Sequence, residues 1–327
     1  MIDPSPPPGT IQPGKLCLRT AGACDLDPEH LLEVFGEQRQ RFGAVLREFG
    51  PEDWAAPTRC ADWSAQDVVR HLCDGDAIGI AADPEDRTLD LAAGFDPRIT
   101  PRRWLAASAG ESPDATLGRF AATTAELLGA CRYRLARGVR FDVFLPYGPM
   151  DWTVRLLHRF WDSWLHERDV LLARGAEHPT DGDATAYATA YGVFIAAAVA
   201  SRLADPVQEK LTLGGDGGGI FEVDSRSGVT LTVSRGNTAG APAAEVADAL
   251  AGRSPVAAVL GDLPPSSRTA LSHMADFFNT PVEQTPGGSR NEARSAPTSC
   301  RPNPRQRPDP PAVGSQKGRL LGEASRT

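Results

Sequence analysis

The chain has 327 residues, of which 41% are hydrophobic, and a formal net charge of −8 at pH 7. This length and apolar content suffice for two modest domains with their own cores. The acidic balance argues against a nucleic-acid surface, and the absence of any run of eighteen apolar residues argues against a transmembrane helix, so we expect neither nucleic-acid nor membrane partners.

The first 24 residues are rich in Pro and Gly and show no apolar periodicity. They also lack the basic and apolar regions of a signal peptide. We therefore predict a flexible leader over residues 1–24 and a cytoplasmic location. The cysteines show no CxxC pairing and are predicted to be reduced thiols in that compartment; they are Cys17, Cys24, Cys60, Cys73, Cys131 and Cys300.

Helical spacing of apolar residues predicts four helices before residue 180. They begin at Asp27-Pro28, at Ser64, at Ser112 or Asp114, and at Asp151. The last one has no Gly or Pro before its end at Gly175. Four helices joined by short to medium loops predict an antiparallel bundle over residues 25–180, in which sites are formed by side chains from facing helices.

The sequence pattern changes after Pro179. A helix of small residues over 184–204 is followed by three alternating runs, KLTLGG, GIFEVD and GVTLTVSR, and by helices near 244–252 and 266–278. They predict an α+β domain over residues 181–281, so the fold class is α plus α+β. The GGDGGG run between two strands lacks a following GK[ST] and is predicted to be a hairpin turn. Residues 282–327 are predicted to be a disordered tail.

Asp162 and His166 are four residues apart on the fourth predicted helix, which places a carboxylate and an imidazole on one face. Between tryptophans such a pair is costly to desolvate unless it binds a partner, and a divalent metal is one such partner. The alternative is an Asp–His contact on the helix surface without a metal. His71, on the helix opened by Ser64, is a third candidate ligand, although a single histidine there is more often a hydrogen-bonded core residue.

Cys60 and Cys73 flank the His71 region and could serve as nucleophiles. Cys73 is only two residues from His71 and therefore faces a different side of the helix. Buried, unreactive cysteine is the commoner case, so we favour that interpretation for both.

His158 precedes Asp162 by four residues, but its ring would lie about 12 Å along the helix axis from that of His166, so the three residues are not expected to chelate together. The remaining histidines have no acidic or histidine partner at a suitable spacing and are predicted to be solvated or capping residues; they are His30, His178 and His273.

Two distinctive stretches are DWAAPTRCADWSAQDVVRHL, and PYGPM followed by WDSWLHERDV. Both resemble the mycothiol-dependent maleylpyruvate isomerase family, part of the wider DinB-like metalloenzyme superfamily. The resemblance implies a DinB-like four-helix bundle with His71, Asp162 and His166 as metal ligands. It also implies a sterol-carrier-like α+β domain, formed by LTLGGDGGGIFEVD, DALAGRSPVAAVLGD and MADFFNTP.

Two imidazoles and one carboxylate suit zinc, other divalent first-row metals also fit, and three protein ligands leave a coordination position open. A thiol bound there would be deprotonated. In the family this thiol is mycothiol, whose thiolate adds to an activated double bond, allows rotation and leaves. The resemblance therefore implies an isomerase that acts on a small electrophile such as maleylpyruvate, or a thiol transferase.

One residue departs from the family pattern, which usually has Glu where this chain has Asp162. Because Asp is one methylene shorter, the helix must lie closer to the metal or bind it less tightly. Asp169 matches an acidic position of the motif and is predicted to orient an imidazole N–H, with a surface carboxylate or a local helix pair as the alternatives. Arg253 is a candidate for binding a substrate or cofactor carboxylate, although a structural ion pair or an exposed loop arginine is the commoner role.

Two other functions use the same residues. A metallohydrolase would place water at the open metal position and would need a general base, for which Glu167 and Asp169 are the nearby residues. A non-catalytic module would keep the bundle and bind a small molecule or a partner protein. Dependence of turnover on mycothiol, together with metal content, distinguishes the three functions.

Overall fold

The computed structural model describes residues 15–19, 25–81, 99–139, 141–145, 148–179 and 181–277. All of these lie within one compact unit. A helical N-terminal region is followed by a sheet-containing C-terminal region, so the predicted mixed fold class is confirmed.

The N-terminal region is built on four long helices, as predicted. The helices of this region are α1 (Pro28–Arg47), α2 (Pro51–Ala55), α3 (Ala65–Ala81), α4 (Thr100–Ala107), α5 (Pro113–Ala136) and α6 (Trp152–Ala173). The short helices α2 and α4 were not predicted, and each has a proline in its first turn. The predicted caps are present, because the side chains of Asp27, Ser112 and Asp151 each accept a backbone N–H from the first turn.

A short antiparallel hairpin precedes α6. It consists of β2 (Asp142–Leu145) and β3 (Gly148–Asp151). No strands were predicted here from the sequence. Because Asp151 ends β3 and also caps α6, the hairpin leads directly into the helix that carries two of the candidate ligands.

The C-terminal region packs helices against a five-stranded sheet. Its elements are α7 (Gly182–Arg202), β4 (Gln208–Gly214), β5 (Gly219–Asp224), β6 (Thr230–Arg235), β7 (Ala241–Pro242), α8 (Ala243–Leu250), α9 (Val256–Val259) and α10 (Pro265–Phe277). The predicted turn at GGDGGG joins the antiparallel strands β4 and β5, and Gly215 and Gly217 have φ values of +72° and +76°. These values favour glycine, so the hairpin-turn prediction is confirmed.

The sheet contains a strand that the sequence did not predict. Strand β1 (Lys15–Arg19) pairs antiparallel with β6, and the strand order is β1-β6-β5-β4-β7. The prediction of a flexible leader is therefore wrong for residues 15–19, where Leu18 is fully buried. Five residues beside Pro- and Gly-rich sequence are too short for a clear alternation signal. The other residues of the leader, and the whole of the predicted tail, lie outside the described residues.

Helix α7 joins the two regions. It packs against α6 on one side and against the sheet, α8 and α10 on others. Among the helices that the structure describes, only α7 is long and apolar enough to cross a membrane. However, 89% of its apolar 18-residue stretch is buried inside the fold, as in a core helix. The main hydrophobic core continues from α1 and α6 through α7 to the sheet. The predicted domain boundary near residue 180 stays a prediction.

Candidate metal centre

Three side chains from two helices converge, and they are the three that the sequence indicated. His71 lies on α3, and Asp162 and His166 lie on α6. His71 Nε2 is 3.5 Å from Asp162 Oδ2, and His166 Nε2 is 3.4 Å from Asp162 Oδ1. One ligand atom from each residue lies within 4.8 Å of those from the other two. The arrangement can hold one cation, and the role of the three residues as ligands stays a prediction.

Local sequence fixes the direction of the helix that bears His71. The Ser64 backbone N–H donates to Asp67 Oδ2 at 2.9 Å, and the Asp67 N–H donates to Ser64 Oγ at 3.1 Å. This reciprocal pair is a capping box, which fixes the start of α3 at the predicted position. His71 follows one turn after Asp67 and faces α6, with which α3 packs.

The second imidazole nitrogen of His166 contacts a buried carboxylate. His166 Nδ1 lies 3.1 Å from Asp169 Oδ2, and the Asp169 side chain has no exposed surface. Because a carboxylate can only accept there, we assign a proton to Nδ1, so Nε2 is the nitrogen that can bind a metal. The hydrogen bond expected of Asp169 is therefore present, although its functional role stays a prediction.

The two candidate imidazoles differ in their electrostatic surroundings. Burial lowers the pKa of His71, which keeps this ring in the neutral form that binds metals. Burial would also lower the pKa of His166, but Cys60, Asp162 and Asp169 outweigh it and raise that pKa well above its usual value. The surroundings of His166 thus favour a positive charge, which a proton or a divalent ion can supply.

Arg253 forms the structural ion pair that was the alternative to binding a substrate carboxylate. Its Nε and Nη2 atoms donate to Asp169 Oδ1 at 2.9 Å and to Asp169 Oδ2 at 2.6 Å. Its Nη1 atom donates to the carbonyl of Ala251 at 2.8 Å. All three nitrogens are thus engaged within the protein. The binding of a substrate or cofactor carboxylate by Arg253 stays a prediction.

Cys60 contacts the centre, contrary to our expectation of a buried, unreactive cysteine. Its Sγ lies 3.0 Å from Asp169 Oδ2 and 3.5 Å from His166 Nδ1, and its side chain is only partly buried. The loop before α3 carries it there, because the Arg59 N–H donates to the Asp169 carbonyl at 3.2 Å. This contact joins residues more than 100 positions apart, so sequence spacing could not reveal it.

Trp63 is a second residue that the sequence did not single out. Its ring centroid lies 5.0 Å from that of His71 and 6.1 Å from that of His166. The indole therefore covers both imidazoles and limits water on that side. Its position directly before the Ser64 cap was the available sequence signal.

Cys73 and Cys131 are expected to resist alkylation by iodoacetamide in the folded protein near neutral pH. Cys73 is 0% exposed and Cys131 is 2% exposed. Burial raises the pKa of each thiol to about 11, which leaves almost no reactive thiolate. Peptide mass spectrometry before and after unfolding in urea measures this protection. Rapid labelling of either cysteine in the folded protein would show that its burial is wrong.

The other histidines lie outside the centre. His158 Nδ1 lies 2.9 Å from the Tyr191 hydroxyl, and burial lowers the pKa of His158 to about 3. The prediction of a solvated or capping role is wrong for His178, whose side chain is only 1% exposed. The side chains of His30 and His273 are 41% and 27% exposed, and all three histidines have an acidic partner. Their Nε2–carboxylate distances are 2.8 Å for His30–Asp183, 3.3 Å for the buried pair His178–Glu167 and 3.2 Å for His273–Asp205.

Comparison with known proteins finds a family match that covers most of the helical region. Residues 35–171 match the sequence model of the mycothiol maleylpyruvate isomerase N-terminal domain. Two crystal structures, of the mycothiol-dependent maleylpyruvate isomerase and of a point mutant of it, are similar to this chain at 14% identity, with TM-scores of 0.48 and 0.47. Each alignment covers 70% of this chain and 90% of the other. Among curated proteins, none matches this chain. The likeness of the C-terminal region to a sterol-carrier-like domain stays a prediction.

Proposed function

Through residues 35–171 this enzyme belongs to the mycothiol maleylpyruvate isomerase N-terminal domain family, and from that premise we propose that it uses a divalent metal and mycothiol to isomerise a small electrophile. Maleylpyruvate is the substrate that the family suggests, and transfer of the thiol to an electrophile is the related reaction. The observation that carries the proposal is the convergence of His71, Asp162 and His166 from two separate helices.

The donor atoms fit a divalent metal. Two imidazole nitrogens and one carboxylate oxygen form a borderline set that suits zinc best, and a set of three leaves a position for an exogenous ligand. The carboxylate at His166 Nδ1 is the outer partner that metal-binding histidines commonly have. Bound at this centre, a divalent ion supplies the positive charge that favours thiolate over thiol in mycothiol.

The protein side chains position and enclose this centre. Asp169 holds the ring of His166 in orientation, and Arg59 and Arg253 hold Asp169, with Arg59 Nε donating to Asp169 Oδ1 at 3.1 Å. Trp63 covers the two imidazoles and limits access of water. A centre that is fixed and partly dry favours addition of a thiolate over competing hydrolysis.

Both carboxylates that could act as a hydrolytic base are already engaged. Glu167 is fully buried and accepts hydrogen bonds from Gln38 at 2.9 Å and from Arg41 at 3.0 and 2.9 Å. Asp169 accepts from Arg59 and Arg253. These contacts favour thiol chemistry over the metallohydrolase alternative, because a general base needs access to water.

Assays with and without mycothiol, combined with elemental analysis of protein purified without added metal, test the proposal. We expect bound divalent metal and turnover of maleylpyruvate only when mycothiol is present. Hydrolysis that needs no thiol would support the metallohydrolase instead. Protein without metal and without turnover would support a binding module.

Replacing Asp162 with Glu is expected to leave the affinity for Zn²⁺ equal or higher. The change keeps a carboxylate, lengthens it by one methylene and restores the residue that is usual in the family. Asp162→Asn is the matched control, and it should weaken binding because an amide oxygen carries no charge. Competition with a chelating dye measures both affinities. A large loss of affinity in Asp162→Glu would argue against a ligand at this position.

A further inference from the structure

The Asp162 carboxylate is held by a cation on its own helix. Arg159, one turn before it on α6, donates from Nη1 to Asp162 Oδ2 at 2.7 Å. The Arg159 and Asp162 side chains are only 5% and 13% exposed. The other carboxylate oxygen, Oδ1, faces His166 Nε2 at 3.4 Å. The guanidinium therefore engages Oδ2, which also lies 3.5 Å from His71 Nε2, while Oδ1 faces only the imidazole of His166.

The guanidinium of Arg159 is itself fixed at several points. Its Nε and Nη2 atoms donate to Asp76 Oδ1 at 3.1 and 3.0 Å. Nη2 also donates to the carbonyl of Leu72 at 3.0 Å. Asp76 is fully buried and forms a second ion pair with Arg39, at 3.0 Å. Because the guanidinium is planar, these contacts with α3 fix its orientation, and Nη1 then points toward Asp162.

A glycine on α3 makes room for this arrangement. A Cβ atom built on Gly75 would lie 2.4 Å from Arg159 Nη1 and 2.6 Å from its Cζ. Both distances are well inside van der Waals contact, so any side chain at this position would displace the guanidinium. Alanine would otherwise favour a helix by about 1 kcal/mol over glycine. A glycine within α3 is therefore explained by the passage of Arg159.

Aspartate needs such support more than glutamate would. Its carboxylate is attached through one methylene and reaches less far from α6, so a small rotation moves Oδ1 away from His166 and Oδ2 away from His71. Outer partners of this kind set the orientation of metal ligands. An adjacent guanidinium also occupies Oδ2, which favours the use of a single carboxylate oxygen.

We propose that Arg159, admitted by Gly75 and anchored by Asp76, is the positioning residue that fixes Asp162 for metal binding through Oδ1. The proposal rests on the proposed function, since it requires that Asp162 binds a metal. It assigns to Gly75 and Arg159 a role in the metal affinity of the chain, in addition to the stability of the bundle.

Titration of the full chain with Zn²⁺ and with Co²⁺ tests the role of Arg159. We expect Gly75→Ala and Arg159→Gln each to weaken Zn²⁺ binding roughly 10- to 100-fold, as for other losses of an outer partner. The visible absorption of bound Co²⁺ should also shift, because the ligand field changes when Asp162 moves. Thermal unfolding of the metal-free variants shows whether each is folded, and either variant is decisive if the other does not fold.

Gly36→Ala is the matched control. Gly36 lies in α1, and a Cβ there would meet Leu128 Cδ1 at an ordinary 3.7 Å. We expect the affinity and Co²⁺ spectrum of this variant to equal those of the unmodified chain. Wild-type affinity and spectrum in folded Gly75→Ala or Arg159→Gln would overturn the role of Arg159 while leaving the metal centre in place. Failure of the unmodified chain to bind either ion would overturn the proposed function and this inference together.

Discussion

Replacing His166 with alanine is expected to remove the bound metal and to abolish mycothiol-dependent turnover. We expect a loss of turnover greater than the roughly 10- to 100-fold that is typical when an outer partner is removed, because a ligand is lost. The cause is geometric, since Nε2 of His166 is one of the two imidazole nitrogens at the centre and Asp162 Oδ1 lies 3.4 Å from it. Elemental analysis and the thiol-dependent assay measure the two effects.

The fold should survive the His166→Ala substitution. Alanine has the highest helix propensity, and α6 is 22 residues long. Asp169 would lose the imidazole but keep its ion pairs with Arg59 and Arg253, so no buried carboxylate is left unpaired. Circular dichroism should therefore show nearly unchanged helical content.

His273→Ala provides a matched control for the loss of an imidazole. Its side chain is 27% exposed, lies on α10 and pairs with Asp205, which is not one of the residues of the centre. We expect normal metal content and turnover in this variant. Normal metal stoichiometry in His166→Ala would remove that residue from the centre.

Local sequence predicted α6 and its pair of candidate ligands well. The cap at Asp151, the end near Gly175 and the spacing of Asp162 and His166 all lie within one helix, where the helical repeat relates them directly. The third residue, His71, is almost 100 positions away and was joined to the pair by the resemblance of both stretches to one family. The structure places all three together.

The surroundings of the centre could not be predicted in the same way. Cys60 approaches Asp169 across 109 positions, and Arg159 reaches Asp76 across 83 positions. Such contacts depend on how helices and loops pack, and no periodicity within one element encodes them. The steric role of Gly75 also appears only when Arg159 is placed against α3, because an isolated helical glycine has no signature of its own.

Short elements and distant ion pairs were missed for a related reason. Strand β1 has five residues, and its partner β6 lies more than 200 positions later. The pairs of His178 with Glu167 and of His30 with Asp183 likewise join neighbouring elements of the fold. Tertiary contacts determine whether such residues are solvated or buried.

Asp248 is expected to be the most sensitive ion-pair position between the two regions. It lies on α8 in the sheet-containing region and accepts hydrogen bonds from two guanidinium groups of the helical region. Arg59 donates to its oxygens at 3.1 and 2.7 Å, and Arg168 donates at 3.2 and 2.6 Å. The Asp248 and Arg168 side chains are 10% and 8% exposed, so neither charge is well solvated.

Asp248→Asn should lower the free energy of unfolding by about 3 kcal/mol, at the low end of the range for breaking a buried pair, because Arg59 keeps some contact with water. The amide has nearly the same shape but removes the negative charge that the two guanidinium groups share, although Arg59 keeps its ion pair with Asp169. Urea unfolding measures the change. Asp224→Asn is the matched control, since Asp224 accepts two hydrogen bonds from the guanidinium of Arg226 on the exposed surface, and we expect no measurable change there.

The effect of Asp248→Asn should also depend on pH. Burial alone would raise the pKa of Asp248, but hydrogen bonds from Arg59 and Arg168 outweigh it and hold that pKa below its usual value. Because the folded-state pKa is the lower one, the stabilisation is fully present above the unfolded-state pKa of about 3.9 and is lost as the pH falls through the folded-state pKa. The difference between the unmodified chain and Asp248→Asn should thus be constant from neutral to mildly acidic pH and shrink below about pH 4. A difference that grew on acidification would show that Asp248 is not stabilised as a carboxylate by these arginines.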